Sequence, residues 1–375
     1  MTGIDRTPAK AVLLDQRFDR LRGILHECGS VVVGYSGGVD SVFLAALAVE
    51  TLGPRNVLAV TGRSAAYPTV QRDVAIECAR RLGIPHIEID TDELSDERYT
   101  ANPSNRCYYC KSELWPKLIV VAREKGMSAV LDGSNADDAG DYRPGFAAAR
   151  EHGVRSPMLE AGLTKADVRA LSQRMGLPTW DRPAAPCLSS RLPYGIAVTR
   201  ARLREVERAE DVLRELGFRE LRVRHHDDCL RIEVAPHELP RAFDIAAVMS
   251  DRIAAVMSDP VSAGAGPRVL IDVEGYRRGA LNEVLVQLGA ASESIIPRTP
   301  AGPGSTAGPL ASASGAAADI PPHERAGFHG DIAVIAGNDV AAAQRAAGAL
   351  RARGFRYIAL DAAAFAVAAL TAGRP

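Results

Sequence analysis

Apolar residues in the first half of the chain fall into short β-rich runs, Ser30–Gly34, Asn56–Val60, His86–Ile89 and Ala129–Leu131. Between them lie stretches with helical spacing, of which Ser41–Leu52 and Val70–Leu82 are the clearest, the second stopped by Gly83-Ile84-Pro85. Strand and helix in alternation predict a parallel sheet wrapped on both faces by helices, joined through right-handed crossovers. After the Pro-rich stretch from Pro178 to Pro193 the pattern changes. A long charged helix, Arg200–Leu216, precedes strands at Arg219–Arg224, Leu230–Val234 and Arg268–Val273 and a helix at Gly279–Leu288, which together predict a smaller α+β domain. The run IAAVMSD occurs at Ile245–Asp251 and again at Ile253–Asp259. An offset of eight residues turns a helix about 80° past two full turns, so the copies are not expected to share a face.

Residues Pro297 to Pro322 are dominated by Ala, Gly, Pro and Ser and are expected to form a disordered linker. Beyond it, Asp331–Ile335, Val340–Arg353 and Tyr357–Leu360 read as strand, helix and strand, a βαβ-like piece whose function the sequence does not give. The expected organisation is a nucleotide-binding α/β domain over 1–195 and a smaller α+β domain over 196–296. The linker over 297–324 and an appended segment over 325–375 follow. The 375 residues carry 45 Lys+Arg against 46 Asp+Glu, so no overall field draws the chain to nucleic acid or an anionic membrane. No stretch approaches the roughly 18 apolar residues of a membrane span, and Ala362–Leu370 reads as a buried helix. Asp5, Arg6 and Lys10 precede no compact apolar signal core, so the expected compartment is the cytoplasm, where the cysteines stay reduced.

The strongest local signal is Val31-Val32-Val33-Gly34-Tyr35-Ser36-Gly37-Gly38-Val39-Asp40-Ser41, an apolar strand entering a small-residue loop that opens a helix. Gly37 and Gly38 let backbone approach an anion, and helix-opening N–H groups favour negative charge. Ser36 and Ser41 offer hydroxyls, and Asp40 is placed to hold the Mg²⁺ that accompanies a triphosphate. The lysine of a Walker loop and the third glycine of a dinucleotide fingerprint are both missing. The plainer alternative is a tight turn with Asp40 and Ser41 capping the helix. Ser36–Ser41 closely resembles the pyrophosphate loop of the PP-loop ATP pyrophosphatases, enzymes that split ATP into AMP and pyrophosphate. That resemblance implies a Rossmann-like PP-loop sheet in the first domain. It also places Thr61, within Val60–Ser64, beside the adenine, and Gly133 and Asn135, within Leu131–Asn135, along the nucleotide pocket.

Cys107-Tyr108-Tyr109-Cys110-Lys111 is a C-x-x-C pair followed by a cation, and a further cysteine stands in Pro186-Cys187-Leu188-Ser189-Ser190-Arg191. No second C-x-x-C completes a tetrahedral zinc site. Three thiolates suit an open site such as a 4Fe–4S cluster with one free iron, and Lys111 and Arg191 would favour thiolates. The alternative for the pair is structural burial or adventitious metal binding. Cys28, Cys78 and Cys229 read as small buried hydrophobes.

The run Pro186–Gly195, with Ser36–Ser41, Asp141–Gly145 and Glu274–Gly279, looks like the LarE family of ATP-dependent sulfur transferases over residues 15 to 290. The family adenylates a carboxylate of pyridinium-3,5-biscarboxylic acid mononucleotide and replaces it with a thiocarboxylate, on the route to the nickel-pincer nucleotide of lactate racemase. Cys187 matches the cysteine that, in one form of the family, gives up its own sulfur and becomes dehydroalanine. Cys107, Cys110 and Cys187 look like the other form, in which three cysteines hold a 4Fe–4S cluster that carries the sulfur. The cluster form is the expectation here, and the sacrificial form is the alternative.

Substrate and ATP are both anionic, so the site requires cations. Arg222 and Arg224 point to one face of a strand, and by resemblance they and Arg191 grip the substrate, with Glu210 as a magnesium or active-site carboxylate. Without the family, the two strand arginines read as a solvated face and Glu210 as a surface ion pair. Asp137, Asp138 and Asp141 would bind Mg²⁺ or cap a helix, capping being preferred for Asp137. The expected partner is a small-molecule nucleotide, with neither membrane nor nucleic acid. Homo-oligomer formation and transient contact with other nickel-pincer biosynthesis enzymes are further expectations. A tRNA thiolase or an ATP-dependent amidotransferase are the rival classes. The first should carry a basic RNA-binding patch and the second a glutaminase domain, and neither is evident.

Overall fold

Val31, Val32 and Val33 are all fully buried, as a strand covered on both faces requires. They begin the central strand of the first of two compact units, Met1–Cys187 and Leu188–Pro375. The computed structural model describes residues 8–140, 144–257, 267–277, 327–329, 332–335, 339–352, 355–363 and 365.

The first unit runs α1 (Pro8–Cys28), β1 (Val31–Gly34), α2 (Val39–Leu52), β2 (Val57–Arg63), α3 (Thr69–Arg81) and β3 (His86–Asp90), then α4 (Glu97–Thr100) and α5 (Arg106–Glu124). It continues with β4 (Ala129–Leu131), α6 (Gly145–Glu151), α7 (Pro157–Glu160) and α8 (Lys165–Arg174). Its sheet has the order β3-β2-β1-β4, every pair parallel, with Val31 opposite both Val57 and Ala129. Alternation along β1 splits the core in two. Val31 and Val33 pack with Leu21, Leu25, Phe43, Leu47 and Leu171 on one face. Val32 packs with Leu58, Val60, Trp115, Leu118 and Ala148 on the other. The α/β expectation of helices on both faces is met.

In this order β1 connects outward to β2 on one side, while β4 lies on the other. The crevice at the carboxyl ends of β1 and β4 is therefore the topological switch point, where such sheets bind ligands.

The second unit runs α9 (Arg200–Glu215), β5 (Leu221–His225), β6 (Cys229–Val234), α10 (Leu239–Asp244), α11 (Ala246–Met257) and β7 (Arg268–Asp272). After these come β8 (Gly327–His329), β9 (Ile332–Ile335), α12 (Val340–Ala352) and β10 (Tyr357–Asp361). All its described strands join one sheet, β5-β6-β7-β10-β9-β8, in which β6–β7 and β9–β10 are the parallel pairs. Strand β10 runs antiparallel to β7, with Leu360 opposite Ile271, so the strand, helix and strand read near the carboxyl end share a sheet with β5–β7. They share a core too, where Ala343, Leu350 and Ile358 pack with Val223, Ile232 and Ile271. Both IAAVMSD copies contribute to α11. Met249 and Ala246 are buried whereas Met257 is half-buried and Ala254 exposed, as the eight-residue offset requires. The helix expected at Gly279–Leu288, the linker, the motif residues 141–143 and 278–279, and most of Ala362–Leu370 lie outside the described residues. Among the described residues no helix is long and apolar enough to cross a membrane.

Candidate active site

The loop after β1 is built by backbone packing. Gly37 has φ +66°, and a Cβ there would stand 2.7 Å from Ala75 Cα on α3. The Ser36 carbonyl accepts from Gln71 Nε2 at 2.9 Å and from the Tyr67 hydroxyl at 3.1 Å, which ties the loop to α3 and its approach. Ser36 N–H donates to Ser41 Oγ at 3.1 Å, and the two hydroxyls are 3.2 Å apart. Gly38 gives α2 no side-chain cap, so its first-turn N–H groups and two hydroxyls face the position of an anion. The capping role considered for Asp40 and Ser41 does not describe this helix start. Gly37→Ala should lower stability by at least about 1–2 kcal/mol, the cost of a side chain in a left-handed conformation. The contact with α3 adds to that cost. A lower thermal midpoint with a larger loss of ATP affinity is the expected result, read by melting with and without nucleotide.

The loop after β4 closes on this one. A Cβ on Gly133 would stand 3.4 Å from Ser41 N and 3.5 Å from Asp40 Cβ, an ordinary van der Waals contact, so the two loops lie side by side at Gly133. Asn135 Nδ2 lies 3.5 Å from Asp40 Oδ1. The other Asp40 oxygen is ion-paired with Lys165 Nζ, a residue the sequence reading missed. Lys165 opens α8, whose Thr164 and Asp167 form a reciprocal capping box. Asp137 accepts from the Lys165 backbone N–H at 2.9 Å, which is the capping role expected of it. Asp138 accepts from Asn135 N–H at 2.9 Å. A lysine from another helix thus stands beside the loop, which has none of its own. The Thr164–Asp167 spacing marks that helix start in the sequence, but nothing in it reveals the pairing with Asp40. Thr61 is buried on β2, its hydroxyl donating to the Tyr35 carbonyl at 2.7 Å and lying 2.8 Å from His86 Nε2.

Cys107 and Cys110 sit one turn apart at the start of α5. Cys107 is exposed, Cys110 and Cys187 are half-buried, and Cys28, Cys78 and Cys229 are buried as expected. Burial pushes the Cys110 thiol well above its ordinary range, with Glu93, Cys187 and Cys107 adding to the rise and Lys111 opposing it. Cys107 and Cys187 thus each lie within electrostatic range of Cys110. Lys111 Nζ lies 4.8 Å from the Trp115 ring centre. Glu93 is 3% exposed, and its Oε2 has no hydrogen-bond partner. Three thiols on a helix start and a nearby loop are the donor chemistry an iron–sulfur cluster takes. Among the described residues, however, no three His, Cys, Asp or Glu side chains are gathered in metal-holding geometry.

In the second unit Arg191, Arg222 and Arg224 are all buried, so the solvated-face reading of the strand arginines does not hold. Arg191 grips Glu210 through two bonds, Nε–Oε1 at 2.8 Å and Nη2–Oε2 at 3.1 Å. Glu210 also takes Arg214 at 2.8 Å and the Val223 N–H at 3.3 Å. It is fully buried, which replaces the surface ion pair with an interior one. Its carboxyl is held below the ordinary range because the guanidiniums of Arg191, Arg214 and Arg222 outweigh the effect of burial. Burial, then the like charges of Arg191 and Arg224, push the Arg222 guanidinium down. Arg224 donates to Glu233 at 2.8 Å and to the Ser190 carbonyl at 2.9 Å. The buried arginines of this cluster, Arg191, Arg222, Arg224 and Arg231, outnumber its buried carboxylates Glu210, Glu233 and Asp272 by one, a local excess that suits an anion despite the chain's neutral total.

A family model described as NAD synthase matches residues 13–106, from α1 through the phosphate loop to the start of α5. Over 275 residues the chain is 40% identical to an uncharacterized protein of Synechocystis sp., a match covering 73% of this chain and all of that one. An uncharacterized protein of Methanocaldococcus jannaschii is 26% identical over 206 residues, covering 54% of this chain and 77% of the relative. Over 264 residues the chain is 37% identical to the pyridinium-3,5-bisthiocarboxylic acid mononucleotide synthase of Lactiplantibacillus plantarum, with 70% of this chain and 92% of that enzyme covered. Similarity of that extent, with a phosphate loop at the switch point of a parallel sheet, places the chain in the LarE family of ATP-using sulfur transferases, within the PP-loop superfamily.

Proposed function

We propose that the protein adenylates a carboxylate of pyridinium-3,5-biscarboxylic acid mononucleotide and converts it to a thiocarboxylate, as a step toward the nickel-pincer nucleotide. The observation that carries the reading is the convergence of Ser36, Ser41, Asp40, Asn135 and Lys165 at the carboxyl ends of β1 and β4. The N–H groups opening α2 and the hydroxyls of Ser36 and Ser41 hold the β- and γ-phosphates. Asp40 is a hard oxygen donor beside them and would hold Mg²⁺, with Lys165 released from the carboxylate to the phosphates. The substrate carboxylate attacks the α-phosphorus, pyrophosphate leaves, and the acyl-adenylate presents an electrophilic carbon from which AMP departs as sulfur adds. Arg222 and Arg224, preset by buried partners, hold the substrate phosphate, and Arg191 with Glu210 fixes the turn that follows Cys187.

Cys107, Cys110 and Cys187 would hold a 4Fe–4S cluster, which when bound supplies an iron-bound sulfide as the sulfur nucleophile and spares the cysteines. The same adenylation with Cys187 as a sacrificial donor is the alternative. With Mg²⁺ and the biscarboxylate mononucleotide, chromatography should show AMP and pyrophosphate formed together. ADP and phosphate as sole products, or equal turnover with bulk tRNA in place of the mononucleotide, would overturn the assignment.

A further inference from the structure

Arg224 grips Glu233 through Nε at 3.0 Å and Nη2 at 2.8 Å. The other Glu233 oxygen takes Arg231 at 2.8 Å, and Arg231 also binds Asp272. Glu233 is shared between the two guanidiniums, so the position of Arg224 depends on how Arg231 is held. Arg231 is 1% exposed, so keeping it charged depends on its surroundings. The ring of Tyr357, on β10, lies over that guanidinium with 3.7 Å from Arg231 Cζ to the ring centre. Guanidinium over an aromatic face is a favourable partner for a desolvated cation.

A second route ends in the same segment. Arg222 lies over the ring of Tyr276, 4.9 Å from its centre. Tyr276 belongs to the turn after β7, where Gly275 has φ +74° and a Cβ would stand 2.6 Å from the Val234 carbonyl oxygen. On that turn, Glu274 is bound by Arg351 of α12, with one bond at 3.2 Å, and Gln344 Nε2 donates to the Val273 carbonyl at 3.1 Å. Tyr357 and Arg351 both lie beyond residue 290, where the family resemblance stops.

We infer that the segment from α12 to β10 is a working part of the anion grip. Tyr357 and Arg351 are positioning residues that fix Arg224 and Arg222 in place before the substrate phosphate arrives. The inference rests on the reading of the two arginines as phosphate ligands. A guanidinium already held in its binding geometry loses less freedom on binding, which is how distant residues raise affinity.

The test uses the full chain and measures, by calorimetry, binding of the biscarboxylate mononucleotide and of ATP separately. Tyr357→Leu and Arg351→Met should each weaken mononucleotide binding about 10-fold, corresponding to roughly 1.4 kcal/mol, and leave ATP binding unchanged. Tyr357→Phe keeps the ring face and should stay within about twofold of the parent. Tyr357→Leu should add little to Arg224→Ala, since both act through one chain of contacts. Parental affinity in Tyr357→Leu and Arg351→Met, with Arg222→Ala and Arg224→Ala weakened, overturns the inference and leaves the arginine reading intact. Parental affinity in both arginine variants overturns the two together. If Tyr357→Leu does not fold, Arg351→Met decides alone, because its pair with Glu274 is partly exposed.

Discussion

Alanine in place of Cys107, Cys110 or Cys187 is expected to strip anaerobically purified protein of iron, from about four atoms per chain to none, and to end thiocarboxylate formation. The physical case begins with Cys110, whose burial holds it as a thiol in the metal-free chain. A metal at that position displaces the proton, so loading should release protons and become easier as pH rises. Cys107 and Cys110 lie one turn apart on one helix, and the third thiol comes from a loop some eighty residues later in the chain. Removing any one leaves two attachment points for a cluster that needs three. Iron is read by colorimetric assay and the product by mass spectrometry. Active, iron-free protein in which Cys187 has lost the mass of H₂S would establish the sacrificial mechanism instead.

Asp40→Asn should cut pyrophosphate release by about 10²–10³-fold, the scale seen when one preorganised charged contact to a transition state is lost. Lys165→Met should cost about 10–100-fold, in the range of a charge-assisted hydrogen bond. The two residues share an ion pair with side chains 25% and 29% exposed, so neither substitution strands a deeply buried charge, and both variants should fold. Their effects should combine to less than the product, because each already disrupts the arrangement the other serves. Rates at saturating mononucleotide, with circular dichroism as the control for folding, provide the measurement. Lys165→Met with unchanged kcat and unchanged KM for ATP would remove the lysine from the site.

Much of the first unit was legible because its strands are apolar runs flanked by helical spacing, and the observed β1, β3 and β4 differ from the expected runs by at most one residue at either end. The phosphate loop was legible because glycines, hydroxyls and a carboxylate at fixed spacing, set between an apolar strand and a helix, suit an anion site better than a plain turn. Lys165 was not, because its pairing with Asp40 spans 125 residues and arises from the order of strands rather than from any local pattern. The burial of Arg222, Arg224 and Glu210 was hidden for a related reason. Charge on a strand or helix reads as solvent-facing, and only tertiary pairing shows that opposite charges meet inside. Of the carboxyl-terminal strands, β9 and β10 were recognised and β8 (Gly327–His329) was not, and pairing of β10 with β7 lay beyond reach of a linear reading.

That pairing sets an order of events during synthesis. Leu270 on β7 faces Asp361 on β10, so about ninety residues must leave the ribosome between the two halves of one ladder. Local pairs such as β5 with β6 form early, whereas a contact so distant in sequence forms late. Until it does, β7 presents an open row of backbone donors and acceptors, the kind of edge that recruits other nascent chains. Truncation within the last described strand should therefore give insoluble product more readily than a truncation of equal length in a surface helix.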